Sequence, residues 1–135
     1  MAYYTSETCG WVNNSRVETG CTTDYEQSEV KYVVDAWAAD KVGSKLQEAR
    51  LLTYEELITD LGYDENKTSS GNGLQVTEDV PTWVYNNNYW YWTESQFNDA
   101  ASYVWHVSYS GSLGMRVVHE YGPVRPVITI SKSSI

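Results

Sequence analysis

The sequence predicts an α+β domain in which two helices are followed by antiparallel hairpins. Three observations predict it. Apolar residues between Ser28 and Lys41 recur at three-and-four spacing, a capping box opens a second such stretch at Thr53, and from Pro81 onward aromatic and β-branched residues alternate between turn signals. With 135 residues the chain has the size of one domain. It divides into an N-terminal loop region (1–24), a helical part (25–62), a loop (63–80) and antiparallel strands (81–132).

The first 24 residues are polar and suit loops with one short hairpin. Val30, Val33, Val34 and Trp37 then mark the apolar face of a helix from Ser28 to Lys41, with Glu29, Lys31, Asp35 and Asp40 on the other side. Glu29 in the first turn and Lys41 in the last suit the helix dipole, and Gly43 ends it. Ala49 to Leu52 reads as a short buried strand or an extended entry to the next helix. Thr53 and Glu56 form the capping box of a second helix, with Leu57, Ile58 and Leu61 inward and Gly62 as the left-handed stop. Residues 63–80 are a long polar loop. Pro81–Tyr85 reads as extended, Asn86-Asn87-Asn88 as a turn, and Tyr89–Thr93 as a strand with Trp90 and Trp92 inward and Tyr89 and Tyr91 outward. Tyr103–Tyr109 is the next strand, Ser110-Gly111-Ser112 its turn, Leu113–Tyr121 the return, and Val124–Ile130 the last strand.

The net charge is −9, which excludes the basic footprint that nucleic acid requires and disfavours an anionic membrane surface. No apolar run reaches the about 18 residues of a membrane span. The first residues are not a signal peptide as they stand, so an export signal is expected on a longer parent chain. Phe97 is the single Phe beside 12 Tyr and 6 Trp. That bias favours recognition over core packing, because Tyr and Trp join a rigid apolar face to a polar handle. Cys9 and Cys21 each have a glycine on the inner side, a spacing that permits a disulfide; two reduced thiols are the alternative.

Tyr89-Trp90-Tyr91-Trp92-Thr93, Tyr103-Val104-Trp105-His106-Val107, Gly111-Ser112-Leu113 and the closing Gly122-Pro123-Val124-Arg125-Pro126-Val127-Ile128 together resemble a family of bacterial domains of unknown function found in gut Firmicutes and their phages. Arg50-Leu51-Leu52-Thr53-Tyr54-Glu55-Glu56 fits that family's upstream motif, and the helix around Tyr25–Trp37 is similar to its preceding helix. The resemblance runs from about Cys21 to Lys132, with Pro123 in a slot usually aliphatic or glycine. It implies a C-type-lectin-like fold, in the branch shared with formylglycine-generating enzymes and with variable proteins diversified by retroelements. It also implies a place on a cell surface or phage particle, as part of a longer or exported chain.

The sugar-binding calcium motifs of C-type lectins are absent. Phe97-Asn98-Asp99 and Asp64-Glu65-Asn66 read better as turns than as calcium ligands, so no metal or cofactor is expected. Formylglycine-type chemistry needs cysteines near the C-terminal site, and both cysteines lie early. A set of Ser108, His106 and Glu120 lacks any nucleophile motif, so the chain is expected not to be an enzyme. The binding face is expected to comprise Phe97, Tyr103, His106, Ser108, Tyr109, Met115, Arg116, His119, Glu120 and Tyr121, with Tyr103 and Tyr109 sharing a strand face with Trp105 and Val107. Its ligand is expected to be a protein or a glycan, and an oligomer is compatible with it. Asn86, Asn87, Asn88, Asn98, Asp99, Ala100, Ser102, Tyr103, His106, Ser108 and Tyr109 are outcomes that adenine mutagenesis of Asn codons produces, set between Trp90, Trp92, Trp105 and Val107 as an unvaried scaffold. Arg125 is expected to hydrogen-bond backbone carbonyls.

Overall fold

The computed structural model describes residues 1–86 and 88–134; Asn87, in the expected Asn turn, and Ile135 lie outside the described residues. The elements are β1 (Gly10–Val12), β2 (Ser15–Val17), α1 (Glu29–Lys41), β3 (Leu46–Arg50), α2 (Tyr54–Thr59), β4 (Tyr91–Gln96), β5 (Tyr103–Val107), β6 (Leu113–Val117) and β7 (Val127–Ile130), joined by short 3₁₀ turns. This is a mixed α/β fold with few helices and antiparallel sheets.

The central sheet is a meander, β4-β5-β6. Successive strand residues point to opposite faces, and here both faces are covered. Tyr91, Trp105, Val107 and Leu113 belong to one core with Leu57, Tyr63, Leu74 and Val84. Trp92 and Val104 belong to a second core with Tyr3, Val30, Val34 and Leu51. Two-sided burial explains one correction: Tyr91, expected to point outward, is 1% exposed, and its hydroxyl donates to the Val84 carbonyl.

β7 departs from the expected run of hairpins. It leaves the meander and pairs antiparallel with β3, with Ala49 opposite Ile128 and Arg50 opposite Val127. Arg125, just before it, donates Nη1 to the Val84 carbonyl (2.9 Å) and Nη2 to the Trp83 carbonyl (2.6 Å). Those carbonyls are available because Thr82–Val84 is a single 3₁₀ turn after Pro81, where the sequence predicts extended chain.

The helices are terminated as their sequences dictate. The Ser28 hydroxyl caps α1 by accepting from the Lys31 amide at 2.9 Å, and Gly43 leaves the helix with φ +67. Val30, Val34 and Ala38 are buried, a stripe at i, i+4, i+8. That stripe is narrower than expected, so Val33 and Trp37 are partly exposed beside Val124 and Pro126. In α2 both halves of the capping box form: Thr53 Oγ1 accepts from the Glu56 amide (3.1 Å) and Glu56 Oε1 from the Thr53 amide (3.0 Å). Gly62 has φ +95, and a Cβ there would lie 2.6 Å from the Asp79 carbonyl oxygen.

The two segments read as loops are integrated into the fold. In the first, Tyr3 is fully buried, its hydroxyl donates to the Thr23 carbonyl at 2.9 Å, and the Tyr4 amide bonds the Val118 carbonyl at 3.0 Å. Cys9 and Cys21 are joined in a disulfide. In the second, Leu74 exchanges two 2.9 Å backbone hydrogen bonds with Leu113 and extends the β6 edge.

Candidate functional site

The expected binding residues divide by strand geometry into three groups. Phe97, His106 and His119 are buried, at 6%, 8% and 6% exposure, which corrects their assignment to an open face. Phe97 packs its ring 4.5 Å from that of Trp105 in the core. His106 lies opposite Gly114 and Trp92 on the covered second face of the sheet. Tyr103, Ser108, Arg116 and Glu120 are half-buried, while Tyr109, Met115 and Tyr121 are exposed. Tyr103 and Tyr109 part company because β5 ends at Val107, leaving Tyr109 in the turn.

Arg116, Glu120, Trp90 and His106 form one connected set. Arg116 Nη1 bonds Glu120 Oε2 at 2.9 Å, its guanidinium stands over the Trp90 ring, and that ring meets His106 edge-on at 5.3 Å. Burial, aided by the Arg116 charge, pushes the His106 pKa down to about 4, so the ring is neutral near neutral pH. Its Nδ1 has no hydrogen-bond partner among the described residues.

A second set comes from the N-terminal hairpin. Asn13 and Asn14, both at positive φ, make the tight turn between β1 and β2. This brings Arg16 Nη2 to the Tyr103 hydroxyl (2.9 Å) and its Nε to Glu18. Glu18 in turn accepts from Ser102 Oγ (3.3 Å) and lies 3.7 Å from His119 Nε2. Thr5, Ser6, Cys9, Gly10, Trp11, His119 and Tyr121 line a shallow cleft of about 270 Å³. Trp11 and the hydroxyl residues were missed by sequence reasoning, because a polar stretch of small residues carries no periodicity. The usable signal was a Trp inside a cysteine-bounded loop.

The third set is the β5–β6 turn, where Ser108 Oγ meets the hydroxyls of Ser110 (3.0 Å) and Ser112 (2.8 Å), with Tyr109 exposed beside them. Ser108, His106 and Glu120 thus have separate surroundings, and no hydrogen bond among the described residues joins them. Asn98, at φ +48, sits in a turn closed by the Ala100 amide on the Phe97 carbonyl (3.0 Å). Asp64 Oδ1 accepts from the Asn66 amide (2.9 Å). No group of three or more His, Cys, Asp or Glu suited to a metal ion occurs among the described residues. No helix among them is long and apolar enough to cross a membrane.

No protein-family model, curated protein or solved structure matches the chain. The class that the structure defines is a mixed α/β fold with few helices and antiparallel sheets.

Proposed function

We propose that the chain is a non-catalytic ligand-binding domain of the C-type-lectin-like kind that recognises a protein or glycan at a cell or phage surface. The observation that carries this reading is the exposure of Met115 (43%) on β6, Tyr109 (68%) in the β5–β6 turn and Tyr121 (81%) beyond the end of β6, beside a meander whose Tyr91, Trp92, Phe97 and Trp105 are packed. Large apolar side chains left in water on a rigid support are the usual anchors of recognition surfaces. The Cys9–Cys21 disulfide supports an oxidising, extracellular setting. The finer reading is a retroelement-diversified variable protein. Of the proposed varied positions, Asn86, Asn88, Asn98, Asp99 and Tyr109 are exposed, whereas Ser102 and His106 are buried. The retroelement reading fails if no near-copy of this segment, differing at adenines, lies beside a reverse transcriptase gene.

The binding reading is tested with Y109A, M115A and Y121A, screened singly and together against glycan arrays and purified surface proteins. A ligand held by the parent and lost by the variants is expected. Binding indifferent to all of them sinks the reading. The competing reading, a structural or adhesive module without a dedicated ligand, draws on the burial of Phe97, His106 and His119 and is favoured if the screens yield nothing.

A further inference from the structure

The cleft between the N-terminal hairpin and the segment after β6 has features that single out a ligand class. Its walls carry Trp11, 70% exposed, and Tyr121, 81% exposed. Nothing in the fold requires either ring to stay in water, and burying one would remove a large apolar area. His119, 6% exposed, also lines the cleft, with its Nε2 buried 3.7 Å from Glu18 Oε1, too far for a hydrogen bond, and without a hydrogen-bond partner among the described residues. Thr5 and Ser6 add hydroxyls: Thr5 Oγ1 donates to Glu29 at 2.7 Å and keeps its lone pairs, and Ser6 Oγ accepts from the Thr8 amide at 3.2 Å.

We infer that this cleft is a carbohydrate subsite that takes one neutral pyranose ring. This rests on the binding-domain reading above and deepens it. A pyranose has an apolar face of C–H groups, which packs on an aromatic ring, and a rim of hydroxyls that both donate and accept. Trp11 and Tyr121 supply the rings, and Thr5 and Ser6 supply partners for the rim. The volume of about 270 Å³ lies just under the range of drug-sized pockets, which suits one sugar ring and its substituents. Among the described residues the cleft has no aliphatic lining to anchor a Leu or Val of a peptide. The net charge of −9, with Glu18 close by, selects against acidic sugars. The Cys9–Cys21 disulfide fixes the hairpin that carries Trp11.

The experiment is an NMR titration of the ¹⁵N-labelled chain with methyl glucoside, methyl galactoside, methyl mannoside, N-acetylglucosamine and N-acetylgalactosamine, alongside a short mixed peptide pool. Expected are shifts of the Trp11 indole and of the Ser6, Gly10 and Tyr121 amides with at least one sugar. W11A and Y121A should each weaken binding by about tenfold, or about 1.4 kcal/mol. Both rings are exposed, so both variants keep the parent melting temperature. No cleft shift with any of the sugars overturns the inference, as does a cleft that answers to peptides alone, or sugar binding unchanged in W11A and Y121A. Trp11 separates the two readings. Ligand binding lost in Y109A or M115A yet intact in W11A removes the carbohydrate subsite and leaves the binding domain standing.

Discussion

The Arg116 guanidinium carbon lies 4.6 Å from the centre of the Trp90 ring, and that same ring closes over Gly122. A side chain expected to search for ligand is therefore held by a cation–π contact and by Glu120 at 2.9 Å. R116A is expected to cost about 1 kcal/mol, most of it from the cation–π contact, since the half-exposed ion pair adds little. G122A is expected to cost more, about 2 kcal/mol, because a Cβ there would overlap the Trp90 ring. Urea denaturation of the two variants checks the order; a neutral G122A would show that Trp90 is free to move.

His106 sets a pH dependence. Its folded pKa, about 4, lies below the ordinary 6.5, chiefly through burial. Between these values the unfolded chain binds a proton that the folded chain refuses, so stability is full above pH 6.5 and falls as pH drops toward 4. Each pH unit in that window costs up to about 1.4 kcal/mol. H106Q should flatten this slope when urea midpoints at pH 7 and pH 5 are compared. Glu94 works in the opposite sense. Burial raises its pKa, so its folded form keeps a proton longer, and its contribution is lost as pH rises through that raised value. E94Q should therefore stabilise the chain at pH 7.

The Cys9–Cys21 link closes a short loop. Reduction, or C9A/C21A, is expected to cost about 3 kcal/mol and to lower the melting temperature by about 10 °C. Thermal scans with and without reductant measure it. An unchanged midpoint would mean that Tyr3 and Tyr4 hold the N-terminal segment by themselves.

Tyr91 and Arg125 both donate to the Val84 carbonyl. Y91F alone should cost about 1 kcal/mol, since Arg125 still serves the acceptor. R125A removes the remaining donor as well as a bond to Trp83. The Y91F/R125A double variant should cost more than the sum of the singles, because only then is the carbonyl left with neither donor. Strict additivity in a double-mutant cycle would contradict a shared acceptor.

Local signals were legible in the sequence where local physics decides the outcome. Ser28, the Thr53–Glu56 capping box and Gly62 fix helix ends through hydrogen bonds a few residues long. Arg125 was legible for the same reason, as an Arg–Pro step with carbonyls to reach. The pairing of β3 with β7 was not, since it joins Leu46–Arg50 to Val127–Ile130 across most of the chain. Nor was the outward or inward sense of Tyr91 and His106. Alternation names two faces but not whether the second is covered, and here Tyr3, Val30 and Leu51 cover it. The binding face was read along one stretch of chain, whereas the cleft needs Trp11 from a hairpin more than a hundred residues from Tyr121.

The meander is a wall shared by two rooms. Tyr91 and Trp105 furnish one core, and their strand neighbours Trp92 and Val104 the other. Neither core can melt without uncovering the strands that the other still needs, so the two clusters lose their structure together. Amide exchange in β4 and β5 should then follow global unfolding rather than local opening, and the chain should unfold in a single cooperative step although its hydrophobic interior is built in two parts.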